Sequence, residues 1–314
     1  MKTTSLLIVL ALIPSAFAQR PTDPALLVPA NAPTLNYGAV ENTIALPDGV
    51  VMGPPASTAF DSKGHMFILN RGKQPLMEFA ADGKYLRWFG EGLFTRAHGM
   101  KIDKDGNIWA TDVGGHVVMK ISPAGQVLLT IGTKGKSGDW AETKLLNEPT
   151  DIALGRNGDV FISQGHTAGK GDPRVLKFDK DGHFKTTWGG RGNEPGKFTA
   201  AHGIDVDAKG LLWVADRENQ RIQIFDQDGR FVREVKYAGL PCSLQIGKRE
   251  IYMVNGFAGQ LLRLDLSGKV LAAVGQPGKG LGEFGEAHSI TVSPQGVIYV
   301  SDPVNSALQK FVKK

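Results

Sequence analysis

Apolar and polar residues alternate with a period of two in short bursts along most of the chain, as in His98–Asp103, Thr150–Gly155 and His202–Asp207. Successive strand side chains point to opposite faces, so this alternation predicts strands with one or both faces buried. Less regular copies occupy Ala56–Asp61, Cys242–Gly247 and His288–Ser293. Most are followed by a turn ending in glycine, as at Gly64, Gly106, Gly158, Gly210 and Gly296. A second burst then runs through Met66–Leu69, Ile108–Thr111, Val160–Ser163, Leu212–Ala215, Ile251–Val254 and Ile298–Ser301. Its β-branched and aromatic content is that of strands. Third strands are read at Val117–Ile121, Val175–Phe178, Ile222–Phe225 and Leu261–Leu264, and fourth strands often close on an apolar-glycine pair such as Trp188-Gly189. Gly or Pro interrupts almost every window long enough for a helix.

Counted from residues 56, 98, 150, 202, 242 and 288, the units are spaced by 42, 52, 52, 40 and 46 residues. Four strands at this spacing predict one blade of a β-propeller, and six units predict an all-β, six-bladed ring over residues 39–314. The last unit stops at Lys314 after its third strand. A segment near Ala39–Leu46 is expected to supply the fourth, closing the ring and removing its exposed edges. Residues 19–38 read as an extended, loosely held Pro-rich segment.

The residue that opens each innermost strand should sit at one mouth of the central channel. Around the ring these anchors are Ala56, His98, Thr150, His202, Cys242 and His288. The histidines fall on alternate blades, about 120° apart in a six-bladed ring. Three imidazoles then converge on the axis, the ligand set of a catalytic zinc site with an open fourth position. The bland alternative is a repeat that tolerates His in a turn. The other four histidines do not share the register: His65 and His183 lie beside turns, and His116 and His166 in connections.

Arg71 and Arg217 follow the ends of second strands, which return to the same mouth. There they suit a carboxylate or other anion, or else a salt bridge within the protein, for Arg217 through Glu218. His166 stands at the equivalent rim of blade three, as a base near the metal or as an exposed loop residue. Cys242 shares the anchor register and reads as a small buried apolar residue. Asp103–Asn107 begins like a calcium loop but lacks the closing acidic residue, so it is a turn.

Composition narrows the function classes. The net charge of +5 is spread without a basic stripe, which argues against nucleic acid and allows an anionic ligand. Met1–Ala18 has the charge, apolar run and small-residue site of a secretory signal cleaved near Ala18. That run is too short to span a bilayer, so a secreted or periplasmic protein without membrane insertion is expected, and a monomer. The single cysteine excludes an intramolecular disulfide.

The texture of Leu212–Phe225 resembles NHL repeats. The order of motifs resembles the peptidyl-α-hydroxyglycine α-amidating lyases, through Phe67–Arg71, His98–Asp103, Ile108–Asp112, Glu148–Ala153, Ala215–Asn219 and Phe231–Lys236. The resemblance implies a zinc lyase that splits a peptidyl-α-hydroxyglycine into a peptide amide and glyoxylate. It implies that His98, His202 and His288 hold Zn2+ or another divalent transition metal, and that Arg71 and Arg217 engage substrate. The family's catalytic Tyr falls on His166, the Met shortly before its third His on Glu286, and its structural Ca2+ ligand Asp on Ser289. Its disulfides are absent.

Two functional readings follow. One is an exported zinc-dependent lyase acting on a peptide or small-molecule carbinolamide, with His166, Arg71 and Arg217 catalytic. The other is a non-catalytic propeller that binds a peptide, glycan or protein, with metal bracing the channel. A lactonase-type site is disfavoured, because it uses carboxylates around calcium whereas these anchors are imidazoles.

Overall fold

A computed structural model describes residues 20–41 and 44–314. The expected signal segment Met1–Ala18 lies outside the described residues. Six four-stranded antiparallel sheets follow one another along the chain. Their innermost strands are Pro55–Phe60, Ala97–Ile102, Pro149–Leu154, Ala201–Val206, Pro241–Ile246 and Ser289–Val292, and each packs on its counterparts in the two neighbouring sheets. This is the six-bladed propeller that the repeat predicts. Among the described residues, helix is confined to Trp140–Thr143 and two 3-10 turns.

The apolar faces of neighbouring blades bury one another, giving one hydrophobic cluster per blade interface. Leu69 and Leu76 of blade one meet Ile108 and Val117 of blade two, and Ala153 and Phe161 of blade three meet Ile204 and Val214 of blade four. The ring closes through Met66, Ile68, Met77 and Phe79 against Leu308. Burying this surface is the main stabilising term of a fold without disulfides.

The fourth strand of blade six comes from Tyr37–Val40, paired antiparallel with Ala307–Lys313 so that Ala39 opposes Phe311. The closing strand therefore starts earlier than the expected Ala39–Leu46 and ends at Val40. Ile44 and Leu46 instead pack against the cluster between blades six and one.

The Pro-rich segment is also not loosely held. Leu35 is buried and donates its N–H to Ala273 O at 2.8 Å, while Ala273 N donates to Pro33 O at 2.9 Å. Ala30 N donates to Gln260 Oε1 at 2.7 Å, and Leu26 and Leu27 pack on the cluster between blades five and six. Composition indicated an extended chain; burial of its leucines fixes it to blade five.

Candidate metal centre

In blades one to five the pairing register shifts beside the anchor residue, for example between Ala97 and Met100 and between Ala201 and Gly203. Such bulges re-aim a side chain, here into the channel. His98, His202 and His288 are buried, with ring centroids 4.6 to 5.2 Å apart.

Each imidazole is held the same way by the next blade. His98 Nδ1 bonds Thr150 O at 2.8 Å, His202 Nδ1 bonds Cys242 O at 2.9 Å, and His288 Nδ1 bonds Ala56 O at 3.0 Å. A carbonyl only accepts, so Nδ1 carries the proton and Nε2 presents a lone pair. The six anchors thus work in pairs, with a histidine on one blade and its backbone acceptor on the next.

Close approach between blades is required at these pairs. A Cβ on Gly99 would lie 2.5 Å from Thr150 O, and one on Gly203 would lie 2.5 Å from Cys242 O.

The three histidines are the one group of potential metal-ligating side chains found among the described residues, with ligand atoms all within 4.8 Å. His202 Nε2 has no hydrogen-bond partner, and the only partner of His98 Nε2 is His288 Nε2. Burial first, then neighbouring positive charge, holds all three well below the ordinary imidazole pKa. Neutral imidazoles with converging, unprotonated nitrogens fit a divalent transition metal.

The expected rim residues also assemble here. His166 is buried rather than loop-exposed, with its ring centroid 4.9 Å from that of His98 and 5.3 Å from that of His202. Its Nε2 is unpartnered, and burial followed by Arg217 pushes its pKa well down. Arg71 donates from Nε to Ala97 O at 3.1 Å, and burial, aided by Arg96, lowers it to about 10. Arg217 pairs with Glu218 through Nε at 2.7 Å and Nη2 at 2.6 Å, leaving Nη1 unpartnered. Burial opposes the Arg217 charge, but Glu218 and Glu286 outweigh it and raise the pKa. The salt bridge to Glu218 and a place on the rim therefore coexist.

Arg96 and the partner role of Glu286 escaped the sequence reading. Arg96 is partly buried with Nε unpartnered, and Glu286 is fully buried with Oε1 4.0 Å from Arg217 Nη1. Both stand two residues before a histidine anchor, a register that also contains Glu148 and was legible by counting. A second ring holds these loops in place. Asn70, Asp112, Gln164, Asp216, Asn255 and Asp302 each end a second strand, fully buried, and accept backbone N–H groups from the loop entering the innermost strand.

The other three histidines fall outside this centre. His65 bonds Glu78, His183 bonds Asp179, and His116 Nδ1 accepts from Glu148 N. Cys242 is buried beside the histidines, where burial pushes its thiol up to about 12. Ser289 bonds Ser57 at 3.3 Å rather than offering a carboxylate to calcium. The carboxylate of that channel layer is Asp151, which with Lys101 and Asp205 lines a cavity of about 420 Å3, where the Lys101 ammonium stands 3.8 Å from Asp205 Oδ1.

Residues 198–225 match the NHL repeat family. The chain is 30% identical over 285 residues to NHL repeat-containing protein 3 of Homo sapiens, covering 83% of this chain and 80% of that protein. It is 29% identical over 310 residues to the peptidyl-glycine alpha-amidating monooxygenase of Mus musculus, covering 82% of this chain but only 30% of that longer protein. It is 29% identical over 247 residues to peptidyl-alpha-hydroxyglycine alpha-amidating lyase 2 of Drosophila melanogaster, covering 71% of this chain and 56% of that one. Among solved structures, a streptogramin B lyase superposes with a TM-score of 0.61 at 16% identity, covering 88% of this chain and 98% of that one, a likeness of fold.

Proposed function

The chain belongs to the NHL-repeat β-propeller family, and from that premise we propose that it is an exported, zinc-dependent lyase acting on an α-hydroxyglycine-type carbinolamide. The observation that carries the reading is the set of three alternate-blade imidazoles, tautomerically fixed by backbone carbonyls, beneath a rim of guanidiniums. Relatives named as amidating lyases and monooxygenases support the reaction class.

His98, His202 and His288 would hold the metal through Nε2. When bound, it supplies Lewis-acid polarisation of a substrate oxygen. The chain's own groups account for the rest. Arg71, Arg96 and Arg217 bind the substrate carboxylate and orient the carbinol carbon toward His166. Neutral His166 accepts the hydroxyl proton at Nε2. The carbinol C–O bond becomes the aldehyde of glyoxylate as the C–N bond breaks, and the proton passes from His166 to the departing amide nitrogen. Close packing of His166 over the other imidazoles excludes bulk water from this exchange.

The test is glyoxylate release from N-benzoyl-α-hydroxyglycine by the zinc-loaded protein and by the chelated protein. Release that is lost on chelation and restored by zinc supports the reading, and absence of release with one zinc bound overturns it. Export is proposed from Met1–Ala18 alone; a mature N-terminus at Gln19 in the periplasm or medium is its check.

The non-catalytic reading draws on one observation, the small space of about 10 Å3 between the histidines and the channel layer beneath them. A metal there would brace the ring. That reading predicts that His98→Ala lowers the melting temperature while the zinc-loaded wild type shows no turnover.

A further inference from the structure

Glu286 is the carboxylate of the rim whose two oxygens both lack a hydrogen-bond partner, although the residue is fully buried. Among the described residues, seven of the twelve buried side-chain atoms without a partner belong to this one centre, on Arg96, His166, His202, Arg217, Glu218 and Glu286. A metal held by the three histidines would account for His202. The others comprise both donors and acceptors, so a ligand that satisfies them must offer both. Arg217 Nη1 and Glu286 Oε1 stand 4.0 Å apart with neither partnered, beyond hydrogen-bond length.

A free carboxylate fork accepts two parallel N–H donors. An N-acyl α-hydroxyglycine has a single N–H at the bond to be cleaved. A ureido group presents two, side by side across its carbonyl carbon. A guanidino group presents the same pair but carries a positive charge, which Arg71, Arg96 and Arg217 disfavour. We infer that Glu286 is a specificity-determining residue that selects a ureido-type carbinolamide, its two oxygens taking the two N–H groups while the rim arginines hold the carboxylate. The C–N bond then breaks to release a urea and glyoxylate, with the hydroxyl proton ending on the departing ureido nitrogen. This inference rests on the lyase reading for the reaction, but recognition is measurable without turnover.

The probes are N-carbamoylglycine and N-acetylglycine, which lack the hydroxyl and cannot react. Calorimetric titration into zinc-loaded wild type is expected to show N-carbamoylglycine binding about tenfold or more tightly. Glu286→Met, with zinc content and melting temperature checked, is expected to remove that preference, so that the two probes bind within about threefold of each other. Glu286→Gln keeps the side-chain volume and one acceptor oxygen, so if Glu286→Met does not fold, it should still cut the preference to a few-fold. Equal affinities in wild type, no binding of either probe, or a preference that survives in both variants overturns the inference. The lyase reading fails separately, through absence of glyoxylate release from N-benzoyl-α-hydroxyglycine.

Discussion

His98 Nε2 and His288 Nε2 lie 3.1 Å apart, and each ring has already committed its Nδ1 proton to a backbone carbonyl of the next blade. Two lone pairs facing each other at this distance repel, and a cation shared between them and His202 would convert the repulsion into ligation. Replacing His202 with alanine should therefore abolish stoichiometric zinc. Removing an outer partner of a metal ligand typically costs about 10- to 100-fold in affinity, so loss of a ligand should exceed that. Metal content after dialysis, wild type beside His202→Ala, is the measurement.

Gly99 has no room for a side chain, because a Cβ would strike the carbonyl of Thr150, the acceptor for His98. Gly99→Ala should destabilise the ring by about 1–3 kcal/mol, the range for overpacking. It should also weaken zinc binding by displacing the carbonyl that orients His98. Thermal unfolding and zinc titration of the same variant check both effects.

The Arg71 side chain makes one hydrogen bond among the described residues, to Ala97 O, so its loss disturbs the fold less than that of Arg217 with its buried carboxylate neighbours. Arg71→Met should lower kcat/KM for glyoxylate release by about 10- to 100-fold, the worth of a charged hydrogen bond. The melting temperature and zinc content should stay close to wild type.

Asp151 sits below the histidines, and burial raises it to about 6 against the pull of Lys101. Its folded-state pKa lies above the ordinary carboxylate value, so between the two the folded protein holds a proton that the unfolded chain has released. Stability should then fall as pH rises from about 4 to about 6, by up to about 3 kcal/mol from this group. Above that window the contribution is constant. Asp151→Asn should lack this slope, seen as the difference between the two unfolding free energies across the window.

Leu35 anchors the N-terminal segment in the cluster shared by blades five and six. Leu35→Ala should cost about 2–5 kcal/mol and should speed hydrogen exchange in Tyr37–Val40, the strand that closes the ring. A loss confined below about 0.5 kcal/mol would show that the segment does not support closure.

The period-two bursts and glycine turns made the six blades legible, because each blade is a local unit whose strands follow one another in the chain. The histidine register was legible for the same reason, since equivalent positions of a repeat occupy equivalent places around the axis. Counting the register one step further would have exposed Arg96 beside Glu286. The burial of His166 was not legible, because it depends on how the connection between Val160–Gln164 and Arg174–Phe178 folds over the mouth. The closing strand was expected but misplaced, since its pairing with Ala307–Lys313 is a contact between the two ends of the chain.

By itself, then, the sequence determined the blade, the number of blades and the three alternate imidazoles, all of which follow from local periodicity and repeat symmetry. Only the tertiary structure decided which nitrogen of each histidine is free, which charges meet over them, and how the Pro-rich segment is held. Those depend on one blade's side chains meeting another blade's backbone, and such meetings are set by burial between distant segments rather than by the pattern within any one of them.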